Sequence, residues 1–287
     1  MKPLRIAQIS DFHFSEITLN PFRLFSKRFL GLLNWIFFRR GAFTTKSVEE
    51  LPSVLKELAI DQILLGGDFT STALPAEFAR ARAFIDRLPA PWIAIPGNHD
   101  HYTYRAHRQK HYYQAIQSSR KADLCNLAED GVEARRIGDR WWVVSLDTAR
   151  ATNLYSSRGL FSPQLEARLK TLLDQIPSDH SILLFNHYPF FQHDTHRHTL
   201  KRGDRLEQVL RADPRIKAYL HGHTHQHIIA DLQPSGLPLI LDSGCVADER
   251  NGSWNLLSID DRGIQIDVYR WNNGWSIKRK EAIAWTR

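Results

Sequence analysis

Cysteine is scarce in this chain: two residues in 287, Cys125 and Cys245, far apart and in unrelated contexts. Neither stands in a CxxC or other zinc spacing, which excludes a thiolate metal cluster and a disulfide-stapled secreted framework. Two buried thiols in a reducing compartment are the expectation. Long apolar runs are also missing. No stretch reaches the roughly 18 residues that a membrane-crossing helix needs, and the opening "MKPLRIAQISDFHF" lacks the apolar core of a secretory signal. A cytoplasmic location follows as an expectation. Low-complexity tracts, internal repeats and Pro, Gly or Ser-rich linkers are absent, so one domain over residues 1–287 is expected. Acidic charge falls short of basic, 31 residues against 38, for a net charge of +7. That favours anionic partners such as phosphate esters, nucleic acid or an acidic membrane surface without choosing among them.

What the chain does have is alternation. Short apolar, strand-like runs are seen in "LRIAQIS" (4–10), "DQILLGG" (61–67), "WIAIPG" (92–97), "RWWVVSLDT" (140–148), "SILLFNH" (181–187) and "IKAYLHG" (216–222). Helical periodicity marks 46–59, 75–88 and 162–176, the last opening on a Ser-Pro start signal. From about residue 253 to 281 the pattern changes to hairpins, with DRG and NNG turns between alternating segments. Strand–helix alternation followed by antiparallel strands predicts a layered α/β protein with two sheets enclosed by helices.

Polar groups collect where the apolar strands stop. Asp11 and His13 follow the first, Asp68 the second, and Asn98, His99 and Asp100 the third; His187 ends another, and His223 and His225 lie in "HGHTH" after the last. Ligands gather at the carboxyl ends of strands in α/β sheets, so these segments are expected to converge. Aspartate, amide oxygen and imidazole without thiolate suit divalent Mn, Fe or Zn. Seven such groups are too many for one ion and suit two that share a carboxylate. Such a pair supports in-line phosphoryl displacement. Taken singly, the blocks have ordinary readings: DFH as a strand-end turn, Asp68 as a helix cap, His187 as a hydrogen-bonded core histidine. Their order and placement argue otherwise. His221 is expected to support the ligands, and His227 to be structural or solvent-facing.

The blocks DFH, GGD, GNHD, the lone His187 and GHTH, in that order from residue 11 to 225, resemble the signature of the calcineurin-like metallophosphoesterases. The resemblance implies a four-layered α/β/β/α sandwich of two mixed sheets. It implies that Asp11, His13 and His225 hold one metal, that Asn98, His187 and His223 hold the second, and that Asp68 bridges them. It gives His99 the role of protonating the leaving group or steadying charge. "GDFTSTA" lacks the Asp and Arg of the protein Ser/Thr phosphatases, and Ser71 stands where purple acid phosphatases carry a ligating Tyr. The chain looks more like the bacterial branch that contains class III cyclic-nucleotide phosphodiesterases.

The expected activity is hydrolysis of a phosphodiester or pyrophosphate in a small or lipid-linked molecule. A nuclease of the same superfamily is the alternative, and a non-catalytic scaffold the third. The lipid option rests on residues 19–40, "LNPFRLFSKRFLGLLNWIFFRR", within a basic insertion at about 17–45 that has no acidic residue from Ile17 to Val48. It reads as a packed helical hairpin, as a lid, or as a peripheral contact with an anionic membrane at its inner face. Two further stretches, 101–113 and 188–205, are rich in His, aromatic and basic residues. The first is expected to be a basic helix near the site. The second is expected either to line a substrate pocket, with His193, His196, Arg197 and His198 near phosphate, or to be a solvated loop.

Overall fold

Strand β1 (Leu4–Ile9) shows how the layers arise from a period of two. Ile6 faces one side, in a cluster with Leu64, Ile93, Val143, Leu183 and Leu241, whereas Ala7 and Ile9 face the other, with Leu51, Leu55, Phe78 and Phe84. The computed structural model describes residues 3–16, 45–153, 156–192 and 195–286. The insertion read as a lid, hairpin or membrane element, and His193, lie outside the described residues.

In the first sheet β1 pairs in parallel with β2 (Gln62–Leu65), which pairs in parallel with β3 (Trp92–Ala94). On its other side β1 meets β12 (Ser253–Ile259), followed by β13 (Gly263–Trp271) and β14 (Trp275–Ala284), all antiparallel. The hairpins expected near the C-terminus are therefore the outer half of this sheet. The second sheet has β5 (Trp141–Leu146), β7 (Ser181–Phe185), β9 (Ile216–His221) and β11 (Leu239–Ser243) as parallel neighbours. Antiparallel β4 (Val132–Arg136) and β10 (His227–Asp231) form its two edges. A short parallel ribbon, β6 (Gly159–Leu160) with β8 (Leu200–Lys201), ties two connecting segments together.

Helices α1 (Thr45–Glu57) and α2 (Pro75–Ile85) cover the outer face of the first sheet through Val48, Leu51, Leu55, Phe78, Phe84 and Ile85. Short helices α3 (Tyr104–Arg108), α4 (His111–Ala115) and α5 (Leu127–Asp130) follow β3. Helices α6 (Pro163–Leu173) and α7 (Gly203–Ala212) cover the second sheet. The architecture is the expected α/β/β/α sandwich, with a largely apolar inter-sheet layer that Gln8 crosses. Its amide donates to the His221 and Leu241 carbonyls at 3.1 and 3.0 Å and accepts from Asn255 at 3.1 Å. That bridge fixes the two sheets relative to each other just behind the segments that carry the polar residues.

Two local expectations change. The helix expected over 101–113 is broken into α3 and α4 by Lys110, which sits at φ 52°, outside the helical region. The 188–205 stretch, expected as pocket wall or solvated loop, does line a cavity with Arg197 and Lys201, but it ends in the start of α7, whose Leu206, Val209 and Leu210 are buried at helical spacing. Glu166 of α6 holds α7: its carboxylate accepts from Arg202 at 2.5 Å, Arg205 at 3.1 Å and Lys170 at 2.8 Å. The Arg205 and Lys170 hydrogen bonds pull the Glu166 pKa down from 4.5 to about 2. A depressed carboxylate pKa stabilises the fold above its unfolded value, and the effect is lost as pH falls through the folded value. Thermal melts of the wild type and of Glu166→Gln should therefore differ at pH 6 and converge by about pH 2. An unchanged difference at low pH would contradict this account.

Candidate metal centre

The parallel strands β1, β2 and β3 of one sheet and β7 and β9 of the other end near one another, and the polar residues follow directly. The structure brings all eight predicted residues to one place. His13 Nε2 and His225 Nε2 face each other at 3.0 Å, and Asp11 Oδ1 lies 3.8 and 3.2 Å from them. Across from this trio, Asn98 Oδ1 and Asp68 Oδ2 lie 3.3 and 3.6 Å from His187 Nε2. Donor atoms of Asp68, His187 and His223 sit within 4.8 Å of one another, and so do those of His13, Asp68 and His99. Asp68 thus belongs to both halves of the constellation.

The backbone is bent to achieve this. Asp11, His13, Asp68, His223 and His225 all have left-handed φ values, 63°, 49°, 52°, 70° and 57°. Each such non-glycine residue costs on the order of 1 kcal/mol or more, and strain of this kind collects at functional sites. Hydrogen bonds between the bends hold them. The Asp11 and His13 amides donate to the Gly67 and Asp68 carbonyls at 3.1 and 2.9 Å. The His99 amide donates to Asp68 Oδ1 at 2.7 Å, and the His223 amide to Asp11 Oδ2 at 3.1 Å. Glycine is required at two of these bends. A Cβ on Gly222 would lie 2.6 Å from Asp11 Oδ2, and one on Gly67 would lie 2.5 Å from the Gly97 nitrogen.

The imidazoles are oriented from behind. His187 Nδ1 donates to the Gly66 carbonyl at 2.7 Å, and His99 Nδ1 to the Ser71 carbonyl at 2.7 Å. His223 Nε2 contacts the His198 carbonyl at 2.9 Å. A carbonyl accepts only from N–H, so each contact sets the tautomer and leaves the lone pair of a neutral ring on the other nitrogen. Burial and neighbouring imidazoles hold the His13 and His223 pKa values well below the ordinary histidine value, which favours the neutral form that binds metals. Burial also pulls on His187, but the Asp68 carboxylate outweighs it and raises that pKa to about 9. For Asp11, burial pushes the pKa up, and the His225 contact outweighs it to leave a carboxylate below its ordinary value.

Several residues outside the predicted set shape the site. Buried Asp100 accepts from the amides of Gly97, Thr70 and Phe69 and from the Thr70 hydroxyl, tying the GDFT and GNHD turns together. Asp242 accepts from Thr224 at 2.5 Å and from the Gly244 amide at 2.8 Å, and lies 3.2 Å from Nδ1 of fully buried His221. His227 instead bonds Asn255 at 2.7 Å, away from the centre. Cys245, expected only as a buried thiol, donates to the Asp11 carbonyl at 3.2 Å, and its sulfur groups with His13 and His225. "SGCVAD" gives no spacing signal for this. The Tyr188 ring packs 4.5 Å from that of His223, and its position directly after His187 is a signal that was available.

A sequence profile of the calcineurin-like phosphoesterases matches residues 4–227. The chain belongs to this family. Among curated relatives, a probable cyclic nucleotide phosphodiesterase of Synechococcus is 26% identical over 242 residues, covering 81% of this chain and 85% of that one. The 3′,5′-cyclic adenosine monophosphate phosphodiesterase CpdA of Escherichia coli is 28% identical over 251 residues, covering 85% and 77%. Among solved structures, a dimetal phosphatase from Danio rerio superimposes over the full length of both chains with a TM-score of 0.71 at 14% identity, which shows the shared fold. As a calcineurin-like phosphoesterase the chain is a metal-dependent hydrolase of phosphoester bonds. Its donor set fits two divalent ions: oxygen and imidazole donors converge in two groups around one shared carboxylate, with the second nitrogens of His187 and His223 tied to carbonyls and a close glycine cradle. Among the described residues no helix is long and apolar enough to cross a membrane.

Proposed function

We propose that the protein hydrolyses the diester or anhydride phosphate of a small, nucleotide-like molecule at this centre. The observation that carries the reading is the position of Asp68 within donor distance of both the His13 side and the His187–His223 side. Asp11, His13 and His225 hold one ion, and Asn98, His187 and His223 hold the other. Asp68 is shared. Two divalent ions bound here supply Lewis-acid chemistry, activating water and neutralising charge on phosphoryl oxygens. The relatives named as cyclic-nucleotide phosphodiesterases support a small nucleotide substrate. Nothing among the described residues supports a lipid-linked one.

His99 is the proton donor in this reading. Its Nδ1–H is committed to the Ser71 carbonyl, its ring lies edge-on to His13 at 5.0 Å, and Tyr102 stacks on it at 5.5 Å. These contacts hold the ring in the group with His13 and Asp68, where it would serve a leaving alkoxide that needs a proton. Metal analysis of the purified protein, paired with manganese-dependent hydrolysis of bis-p-nitrophenyl phosphate and 3′,5′-cyclic AMP, tests the whole reading. Failure to bind divalent metal together with failure to cleave any ester would overturn it. His99→Ala should lower kcat about 100-fold while metal content stays at the wild-type level. A loss of metal in that variant would make His99 a ligand instead.

A further inference from the structure

A cavity of about 760 Å³ is walled by Tyr104, Arg150, Arg158, Arg197 and Lys201 among others, with no acidic residue among the described residues of its lining. Its walls come from segments after β3, β5 and β7, the same edge of the sandwich that carries the metal-centre residues. Tyr188 separates the two. One side of its ring meets His223, and its hydroxyl donates to the Ser157 carbonyl at 2.7 Å, next to Ser156 in the cavity wall. The Asp68 and Asp147 carboxylates act electrostatically on Tyr188, and so, more weakly, does the Arg150 guanidinium. The His198 carbonyl that contacts His223 belongs to the residue after Arg197.

Among the described residues, every charged side chain in the lining is positive. Arg158 bonds the His196 carbonyl, and none of the four cationic side chains forms an ion pair with a described carboxylate. Arg150 Nε is buried without a hydrogen-bond partner. Three guanidinium groups and an ammonium lining one cavity favour an anionic occupant, and planar guanidinium forks match phosphate oxygens. At the mouth stands Tyr104, 66% exposed and one of two exposed large hydrophobic residues among those described. Its ring offers a stacking face for a base or sugar.

From this geometry we infer that the cavity binds a second phosphate group of the substrate, apart from the one cleaved, so that the natural substrate is a nucleotide with at least two phosphates. This rests on the hydrolase reading above and narrows it. A plain cyclic mononucleotide has one phosphate, which the metal centre takes, and would leave the cavity unused.

Calorimetric titration of the metal-free full chain with adenosine 3′,5′-bisphosphate and with 3′,5′-cyclic AMP tests the cavity without any catalysis. The bisphosphate should bind about tenfold or more tightly, and Arg150→Ala or the more exposed Arg197→Glu should each remove about tenfold of that preference. Equal affinities for the two ligands, or a preference that survives both substitutions in folded protein, would overturn the proposal. With manganese-loaded protein, thymidine 5′-p-nitrophenyl phosphate and its 3′-phosphorylated counterpart should show the same tenfold preference in KM. If neither ester is cleaved the hydrolase reading fails, while the titration still decides the cavity.

Discussion

Asp68→Ala should lower kcat/KM for bis-p-nitrophenyl phosphate by about 10⁴-fold, the equivalent of several kcal/mol of lost charge stabilisation. The size follows from its double membership. Asp11 or Asn98 serves one half of the constellation, but Asp68 stands within reach of His13 on one side and of His187 and His223 on the other. Its loss also releases two structural ties, the 2.7 Å hydrogen bond from the His99 amide and the close approach to His187. Two readouts separate these effects. Manganese should raise the melting temperature of the wild type, because a ligand that binds only the folded state stabilises it, and the shift should shrink or vanish in Asp68→Ala. If the variant keeps the full manganese shift and loses only activity, Asp68 is a catalytic group and does not join the two halves.

The residues at the centre were legible because the donors of each half stand in short blocks at strand ends, where chain order and residue type survive without knowledge of packing. DFH, GGD, GNHD and GHTH carry their chemistry in adjacent positions. The supports were not legible for the opposite reason. Asp242 reaches Thr224 and His221 only because β11 pairs with β9, and Cys245 reaches His13 and His225 because the turn after β11 folds over the end of β1. Such roles are set by tertiary pairing and leave no periodic trace. The same applies to the basic cavity. Arg150, Arg158 and Arg197 are spread over 47 positions of chain, and the β6–β8 ribbon helps bring two of their segments together. Strands β4, β6, β8, β10 and β11 were missed among the elements: β4 ends in two arginines, β6 and β8 are two residues each, and β10 is half-exposed without a clean alternation. Local context betrayed Lys110 no better: a lysine at φ 52° is an uncommon choice, imposed by the packing of α3 and α4.

Gly97→Ala should disable the enzyme nearly as thoroughly as loss of Asp68, by about 10³-fold in kcat/KM, although it adds one methyl group and removes no donor. A Cβ at residue 97 would lie 2.8 Å from Asp68 Cγ and closer still to its Oδ1 and amide nitrogen. Backbone lies on that side, so the added carbon cannot be accommodated by a rotamer change. The shared carboxylate has to move, and the His99 amide that donates to it moves too. Asp100 resists the shift, since it clamps Gly97 to the Thr70 turn with hydrogen bonds of 2.9 and 3.0 Å. The alanine therefore either displaces the Asp68 carboxylate or breaks the Asp100 clamp, and both outcomes separate the two halves of the centre. Gly138→Ala is the matched control: its Cβ would meet only ordinary contacts at 3.9 Å, and activity should stay within about twofold of wild type. Near-normal activity and manganese content in Gly97→Ala would show that the turn between β3 and His99 yields without disturbing Asp68, and the rigid cradle argued for this centre would have to be abandoned.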